Sequence, residues 1–388
     1  MRESQNLPIG WRVSLLDDVT KRGSGHTPNK EHAEYWNGGI KWVSLADSSS
    51  LDKGLISQTD KEISELGIAN SSAVMHPAGT VVMSRDAGVG KSAILGEDMA
   101  VSQHFIAWRC NGNGQVHNWF LYNWLQFHKQ EFERQAIGST IKTIGLPYFK
   151  RLKIAYPPYG EQRRIAEILS TWDRAIETTE KLIANSQAQK KALMQQLLTG
   201  KKRLPGFEKA WRKCQFGDVA QVKKGKALSG KDLRPGSYPV IAGGKVSPYS
   251  HAEFTHENVV TVSASGAYAG YVSFHDSQIW ASDCSVIEGN SALDVRFAHQ
   301  FLSWRQERLY SLQSGGAQPH IYPKDIASLD MLLPALAEQK AIAVALALCD
   351  EATRSLTDQL DHLEDEKRAL MQQLLTGKRR VKIEEAAA

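Results

Sequence analysis

Ala192–Lys201 reads ALMQQLLTGK, and Ala369–Lys378 reads ALMQQLLTGK again. Ten identical residues that recur 177 positions later, Ala369 against Ala192, make the chain a tandem duplication, so whatever the sequence folds into it must fold twice. The match runs upstream without a gap. Glu161-Gln162 pairs with Glu338-Gln339, Ile165-Ala166 with Ile342-Ala343, Leu169 with Leu346 and Asp173 with Asp350. A chain of 388 residues therefore holds two units of roughly 180 residues, each long enough to bury a core of its own.

The repeated part reads as a long helix. Apolar-favouring positions step by four and three through Ile165, Leu169, Trp172, Ile176, Thr179, Ile183, Ser186, Lys190, Leu193 and Leu197. The second copy runs Ile342, Leu346, Cys349, Thr353, Leu356, Leu360, Leu363, Lys367, Leu370 and Leu374. A sustained 3.5-residue seam is the pattern of helices that wrap around one another. Neither stretch contains Pro or Gly, and each stops at Thr-Gly followed by cations, a helix-end signal. About 38 residues at 1.5 Å each extend roughly 57 Å. Antiparallel pairing of the two seams gives the chain a pseudo-two-fold axis, with a globular segment toward either end. Ser186, Lys190 and Lys367 interrupt the apolar seam and either set register or mark where another subunit packs.

The blocks then fall at 1–158 (globular), 159–203 (helical), 204–336 (globular), 337–380 (helical) and 381–388 (tail). Both globular segments open on a similar phrase, Trp11-Arg12 with Asp18-Val19 and Trp211-Arg212 with Asp218-Val219. Both leave through a proline-containing stretch, Tyr156–Gly160 and Leu333–Ala337, where Pro disfavours helix in the residue before it. Between these shared ends the two differ almost everywhere. Strands are predicted at Ile40–Leu45, Thr80–Ser84, Val259–Val262 and Gly270–Phe274, and one helix per segment at Asn118–Arg134 and Val295–Leu312.

Charge and composition are permissive. The net charge of +5 attracts phosphate only mildly. The polar start, Met1–Trp11, lacks the apolar stretch of a signal peptide, and no apolar run reaches the roughly 20 residues needed to span a bilayer. Cys110, Cys214, Cys284 and Cys349 are scattered, without a metal-ligand spacing, and read as packing residues of a reducing compartment. Ala87–Ser92 (AGVGKS) ends like a phosphate-binding loop, but Arg85 stands where that motif needs Gly. Tyr156-Pro157-Pro158-Tyr159 is similar to the catalytic loop of amino-methyltransferases, yet its first residue is Tyr rather than Asn or Asp, and the second repeat lacks the phrase. Both are expected to be structural, which leaves no active site. A fused methyltransferase or a protein-organising scaffold without DNA are the alternative readings.

The order globular–helix–globular–helix, the phrases YPPYGEQRRIAEIL and LPALAEQKAIAVAL, and the ending ALMQQLLTGK together resemble the specificity subunits of type I restriction–modification enzymes. So do Gly25–Asp47 with Arg85–Leu95 in the first segment, and Tyr238–Tyr249, Ser263–Phe274 and Ile279–Cys284 in the second. The resemblance implies a mixed α/β (α+β) fold, with two target-recognition domains joined by two long antiparallel coiled-coil helices. It implies a cytoplasmic, non-catalytic protein that binds double-stranded DNA and docks two adenine-N6 methyltransferase subunits, with two motor-nuclease subunits needed for cutting. S-adenosylmethionine and ATP would sit on those partners, with no cofactor or metal on this chain. Each domain would read half of a split target, and the helices would set the gap.

Arg and Lys suit guanine, Asn and Gln suit adenine, and most contacts in such interfaces go to phosphate. Candidates in Gly-rich or polar stretches beside strands are Lys41, Arg85, Lys91, Gln103, His104 and Lys142 in the first domain. In the second they are Lys245, Ser263, Ser265, Tyr268, Gln318 and His320. Trp36, Trp42 and Trp280 are expected to be core rather than base-stacking. The basic ends Lys201-Lys202-Arg203 and Lys378-Arg379-Arg380 face phosphate, water or a partner.

Overall fold

The computed structural model describes residues 7–110, 115–247 and 249–382. Most of the expected tail, the first six residues and Pro248 of the Tyr238–Tyr249 phrase lie outside them. Two compact units emerge, and their boundaries fall inside the long helices. One unit joins 1–178 to 360–388, and the other is the continuous stretch 179–359. Both helices are unbroken over 39 residues, Tyr159–Leu197 and Leu336–Leu374. Each unit therefore contains the first half of one helix and the second half of the other. Among the described residues no helix is long and apolar enough to cross a membrane.

In the first unit, a five-stranded sheet runs in the order Lys21–Ser24, Phe105–Arg109, Val81–Ser84, Ser92–Leu95, Leu55–Ile56. A four-stranded sheet is ordered Lys61–Ile63, Trp36–Val43, Met99–Val101, Met75–His76. Strands Val81–Ser84 and Ser92–Leu95 are buried on both faces and read as continuous apolar runs. The opening strand Arg12–Leu15 pairs antiparallel with the closing strand Lys153–Tyr156, Arg12 opposite Tyr156. This pairing explains why the Trp-Arg phrase and the proline junction recur together.

The second unit repeats the frame with fewer strands. Val222–Lys224, Cys284–Glu288, Val259–Ser263 and Val272–His275 form its main sheet, and Arg212–Gln215 pairs with Asp330–Leu333. A three-stranded sheet, Ser250–His251, Tyr238–Ile241, Trp280–Ala281, takes the place of the larger second sheet. The single helix expected in each domain is in fact two. Asn118–Phe127 and Lys129–Gln135 are separated at His128, and Val295–Trp304 and Gln306–Ser311 at Arg305.

Each core takes in the long helices. In the first unit, Ile165 and Leu169 from the start of one helix and Leu374 and Leu375 from the end of the other close over Trp108, Phe120 and Phe149. In the second, Ile342, Leu346, Leu197 and Leu198 close over Phe216, Phe297 and Phe301. Trp42 and Trp280 are core as well, and Trp36 packs edge-on against Trp42 at 5.3 Å. Cys110 and Cys284 are buried, and burial pushes both thiols up to about 12, which leaves them unreactive.

Along the seam, Trp172, Ile176, Ile183, Leu193, Leu356, Leu360, Leu363 and Leu370 are half-buried, while their neighbours on the outer faces are exposed. The polar seam positions are used in pairs. Lys367 meets Asp173 at 2.5 Å in one unit, and Lys190 meets Asp350 at 2.5 Å in the other, where Ser186 and Thr353 also share a 2.7 Å hydrogen bond. In both units the register descends on one helix as it ascends on the other, so the halves pack antiparallel.

The repeated Glu-Gln couples each domain to its helix. Gln162 is fully buried; its Oε1 accepts from His117 N at 2.8 Å, and its Nε2 donates to Gln115 O and Pro157 O. Gln339 does the same with Asp294 N, Ala292 O and Pro334 O. Glu161 and Glu338 are 1% exposed, and each accepts two hydrogen bonds from one guanidinium, Arg380 and Arg203 respectively. One arginine of each basic end is thus spent inside its own unit.

Candidate nucleic-acid interface

Sheet strands that end in glycine-rich turns leave loops at their tips, and one pair of loops recurs in both units. In the first unit, Ile137 and Thr143 exchange two backbone hydrogen bonds, at 3.0 and 2.9 Å, around the tip 138–142. The chain then lies alongside the end of strand Val81–Ser84: Ala87 N donates to Lys142 O at 3.3 Å, and Ile144 N donates to Arg85 O at 2.9 Å. Ile144 is buried beneath, which anchors the loop.

In the second unit, Ser314 and His320 exchange the same two bonds, at 2.9 and 2.8 Å. Gly266 N donates to Pro319 O at 3.0 Å and Ile321 N to Ala264 O at 3.0 Å, with Ile321 buried. Gly138 and Gly315 open the two tips at φ of +135° and +96°. A Cβ on either would meet the carbonyl oxygen three residues on, Ile141 O at 2.2 Å or Gln318 O at 2.7 Å, so glycine is required at both.

Arg85, His104, Gln103 and Lys142 converge here. His104 Nδ1 lies 2.8 Å from Asp86 Oδ2, and Arg85 N donates to His104 O at 2.9 Å. The carboxylate fixes the imidazole so that Nε2 points away from it, 3.5 Å from the Gln103 amide. Arg85 Nε has no hydrogen-bond partner among the described residues, and its closest anion is Asp86 Oδ1 at 3.9 Å. Gln103 is exposed and accepts from Thr27 Oγ1 at 2.5 Å, while Lys142 is fully at the surface. Gln103 and His104 also line a shallow cleft with Lys30, Trp36 and Lys61.

Ser265, His320 and Gln318 converge at the equivalent place. Ser265 occupies the position of Asp86, and its hydroxyl bonds Asp283, which stands where His104 stands in the first unit. Tyr268 is exposed, and Lys245 Nζ lies 5.1 Å over its ring and 5.4 Å over that of Tyr271. His320 stacks on Tyr322 at 6.3 Å.

Three candidates are engaged elsewhere. Lys41 donates to Ser57 O at 2.7 Å and pairs with Glu97. Lys91 donates to Ser48 O and Oγ at 3.0 and 2.9 Å, so it ties the glycine turn to Leu45–Ser49 instead of facing phosphate. Ser263 is buried in its strand. Sequence reasoning passed over Ile137 and Ile141, apolar yet 82% and 58% exposed on the first tip. The glycine at the same repeat position, Gly138 and Gly315, was the signal that marked this loop. Among the described residues no His, Cys, Asp and Glu group is arranged to hold a metal.

The family model for the type I restriction modification DNA specificity domain matches residues 8–185 and again 208–365. The type I restriction enzyme MjaIX specificity subunit of Methanocaldococcus jannaschii is 28% identical over 176 residues, 45% of this chain and 40% of that protein. The MjaVIII specificity subunit of the same organism is 23% identical across 97% of this chain and 94% of its own length. Among solved structures, a type I restriction–modification S subunit from M. genitalium shares the fold with a TM-score of 0.64 at 18% identity, over 96% of this chain and 98% of that one. A match to one family model in both repeats, over nearly the whole described chain, leaves one conclusion: this protein belongs to the type I restriction–modification specificity subunits, non-catalytic proteins whose role is DNA recognition.

Proposed function

We propose that each unit reads one half of a bipartite, asymmetric DNA target, and that the paired long helices set the unread gap and dock two adenine-N6 methyltransferase subunits. The observation that carries this reading is the repeated loop frame with different chemistry: Arg85, Asp86, His104 and Lys142 in one unit, Ala264, Ser265, Asp283 and Pro319 in the other. Two readers on a common scaffold with unlike contacts select unlike half-sites. Motor-nuclease subunits would join for cutting, with S-adenosylmethionine and ATP bound on the partners, in a cytoplasmic complex at the nucleoid. The outer faces of the helices offer docking surfaces of different character. Arg163, Arg164 and Glu167 are exposed at the start of the first, and Val344 and Leu348 at the start of the second.

The test is to co-express the chain with its methyltransferase and map N6-methyladenine genome-wide. One split motif with a fixed gap and a methylated adenine in each half supports the reading, and exchange of residues 1–158 for another domain should change one half only. A stable, active complex that adds no methylation, or an exchange that alters both halves, overturns it.

A further inference from the structure

The two tips 138–142 and 315–319 are held by the same four backbone hydrogen bonds, so their side chains can be compared position by position. Residues 141 and 318 are equivalent, since each supplies the carbonyl oxygen that crowds the opening glycine. Both side chains stand free of the domain. Ile141 is 58% exposed, and the exposed Gln318 amide has no hydrogen-bond partner among the described residues. A branched apolar side chain held out on a pinned turn, beside the exposed Lys142, has no internal use. It suits a groove in which phosphates surround apolar methyl groups.

We propose that this position is the specificity-determining contact of each unit: Ile141 packs on a thymine methyl, and Gln318 makes a two-point contact to N6 and N7 of an adenine. The inference rests on the half-site reading above and adds the base class read at one position of each half. The B-DNA major groove displays the thymine methyl and the adenine N7 and N6, and a branched apolar side chain and a carboxamide are their respective complements.

Binding of the methyltransferase complex to its mapped target, at one fixed salt concentration, tests this with modified bases. Deoxyuridine in place of each thymine of the first half-site removes only the methyl group. One such replacement should weaken the wild-type complex about four-fold and leave Ile141→Ala unaffected. In the second half-site, 7-deazaadenine at one adenine should cost the wild type about ten-fold and leave Gln318→Ala unaffected. Thermal melting should be unchanged for both variants, because both side chains are exposed. Overturning results are half-sites without thymine or adenine respectively, indifference of the wild type to every replacement, or variants that stay as sensitive as the wild type. Absence of any sequence-specific target would instead defeat the half-site reading itself.

Discussion

Asp350 is satisfied where Asp173 is not. In the second unit, Asp350 accepts from Lys190 at 2.5 Å through Oδ1 and from Gln300 Nε2 at 3.1 Å through Oδ2. In the first, Lys367 reaches Asp173 Oδ1 at the same 2.5 Å, but Oδ2 is buried with no hydrogen-bond partner among the described residues. The residue equivalent to Gln300 is Asn123, one methylene shorter, and its amide turns to Trp119 O at 2.8 Å.

Asn123→Gln should therefore stabilise the first unit by about 1 kcal/mol, the value of a net hydrogen bond to a group otherwise left unpaired. Amide exchange in Asn118–Phe127 measures it. Slower exchange is expected there with no change in the second unit, and unchanged or faster exchange refutes the match.

Arg380→Ala strands the buried Glu161 carboxylate and should cost the first unit about 3 kcal/mol. The double variant Glu161→Gln/Arg380→Ala should regain much of that, because a neutral amide is cheaper to bury than a charge. Urea unfolding followed by a probe in the first unit separates the two, and equal midpoints would show that the charge is not the source.

Acid should loosen the second unit. Burial holds the half-buried His299 imidazole down to about 4 from the usual 6.5, with Lys190 and His275 also opposing its proton and Asp350 favouring it. The unfolded chain then binds more protons between those values, so stability is intact above 6.5 and falls as pH drops toward 4. The loss is on the order of 2 kcal/mol, reduced from the full linkage because the ring is partly exposed. His299→Gln should flatten the profile in that window.

Insertion of one heptad into each long helix adds about 10 Å of rise, or about three base pairs of gap at 3.4 Å per pair. Methylation mapping should show both half-sites unchanged with the gap widened. An unchanged gap would end the ruler reading.

The helices were legible because their information is periodic and repeated: every seam position from Ile165 to Leu197 and from Ile342 to Leu374 is buried or half-buried. Their pairing partners were less so. Lys190 and Lys367 interrupt the apolar seam with two readings open, register or a partner's contact, and Asp350 and Asp173 decide for register, since an ion pair across 160 residues or more leaves no local trace. The loop candidates divided for the same reason. Lys41 and Lys91 have the composition of DNA-contacting residues, but nearby carbonyls claim their ammonium groups, and a sequence does not say which carbonyl lies within reach. The breaks at His128 and Arg305 also escaped notice, because neither carries Pro or Gly to announce a bend.

The two units also differ in when a ribosome can finish them. Residues 179–359 form a contiguous stretch, whereas the unit that begins at the amino terminus takes its last wall from residues 360 to 382, where Met371, Leu374 and Leu375 cover Ile165 and Leu169. The domain made first is thus completed last. At roughly 5–20 residues per second, its apolar seam waits some ten seconds or more after residue 178 emerges. A premature stop between residues 365 and 371 would strip Met371, Leu374 and Leu375 from the unit at the amino terminus, whose own globular codons are intact.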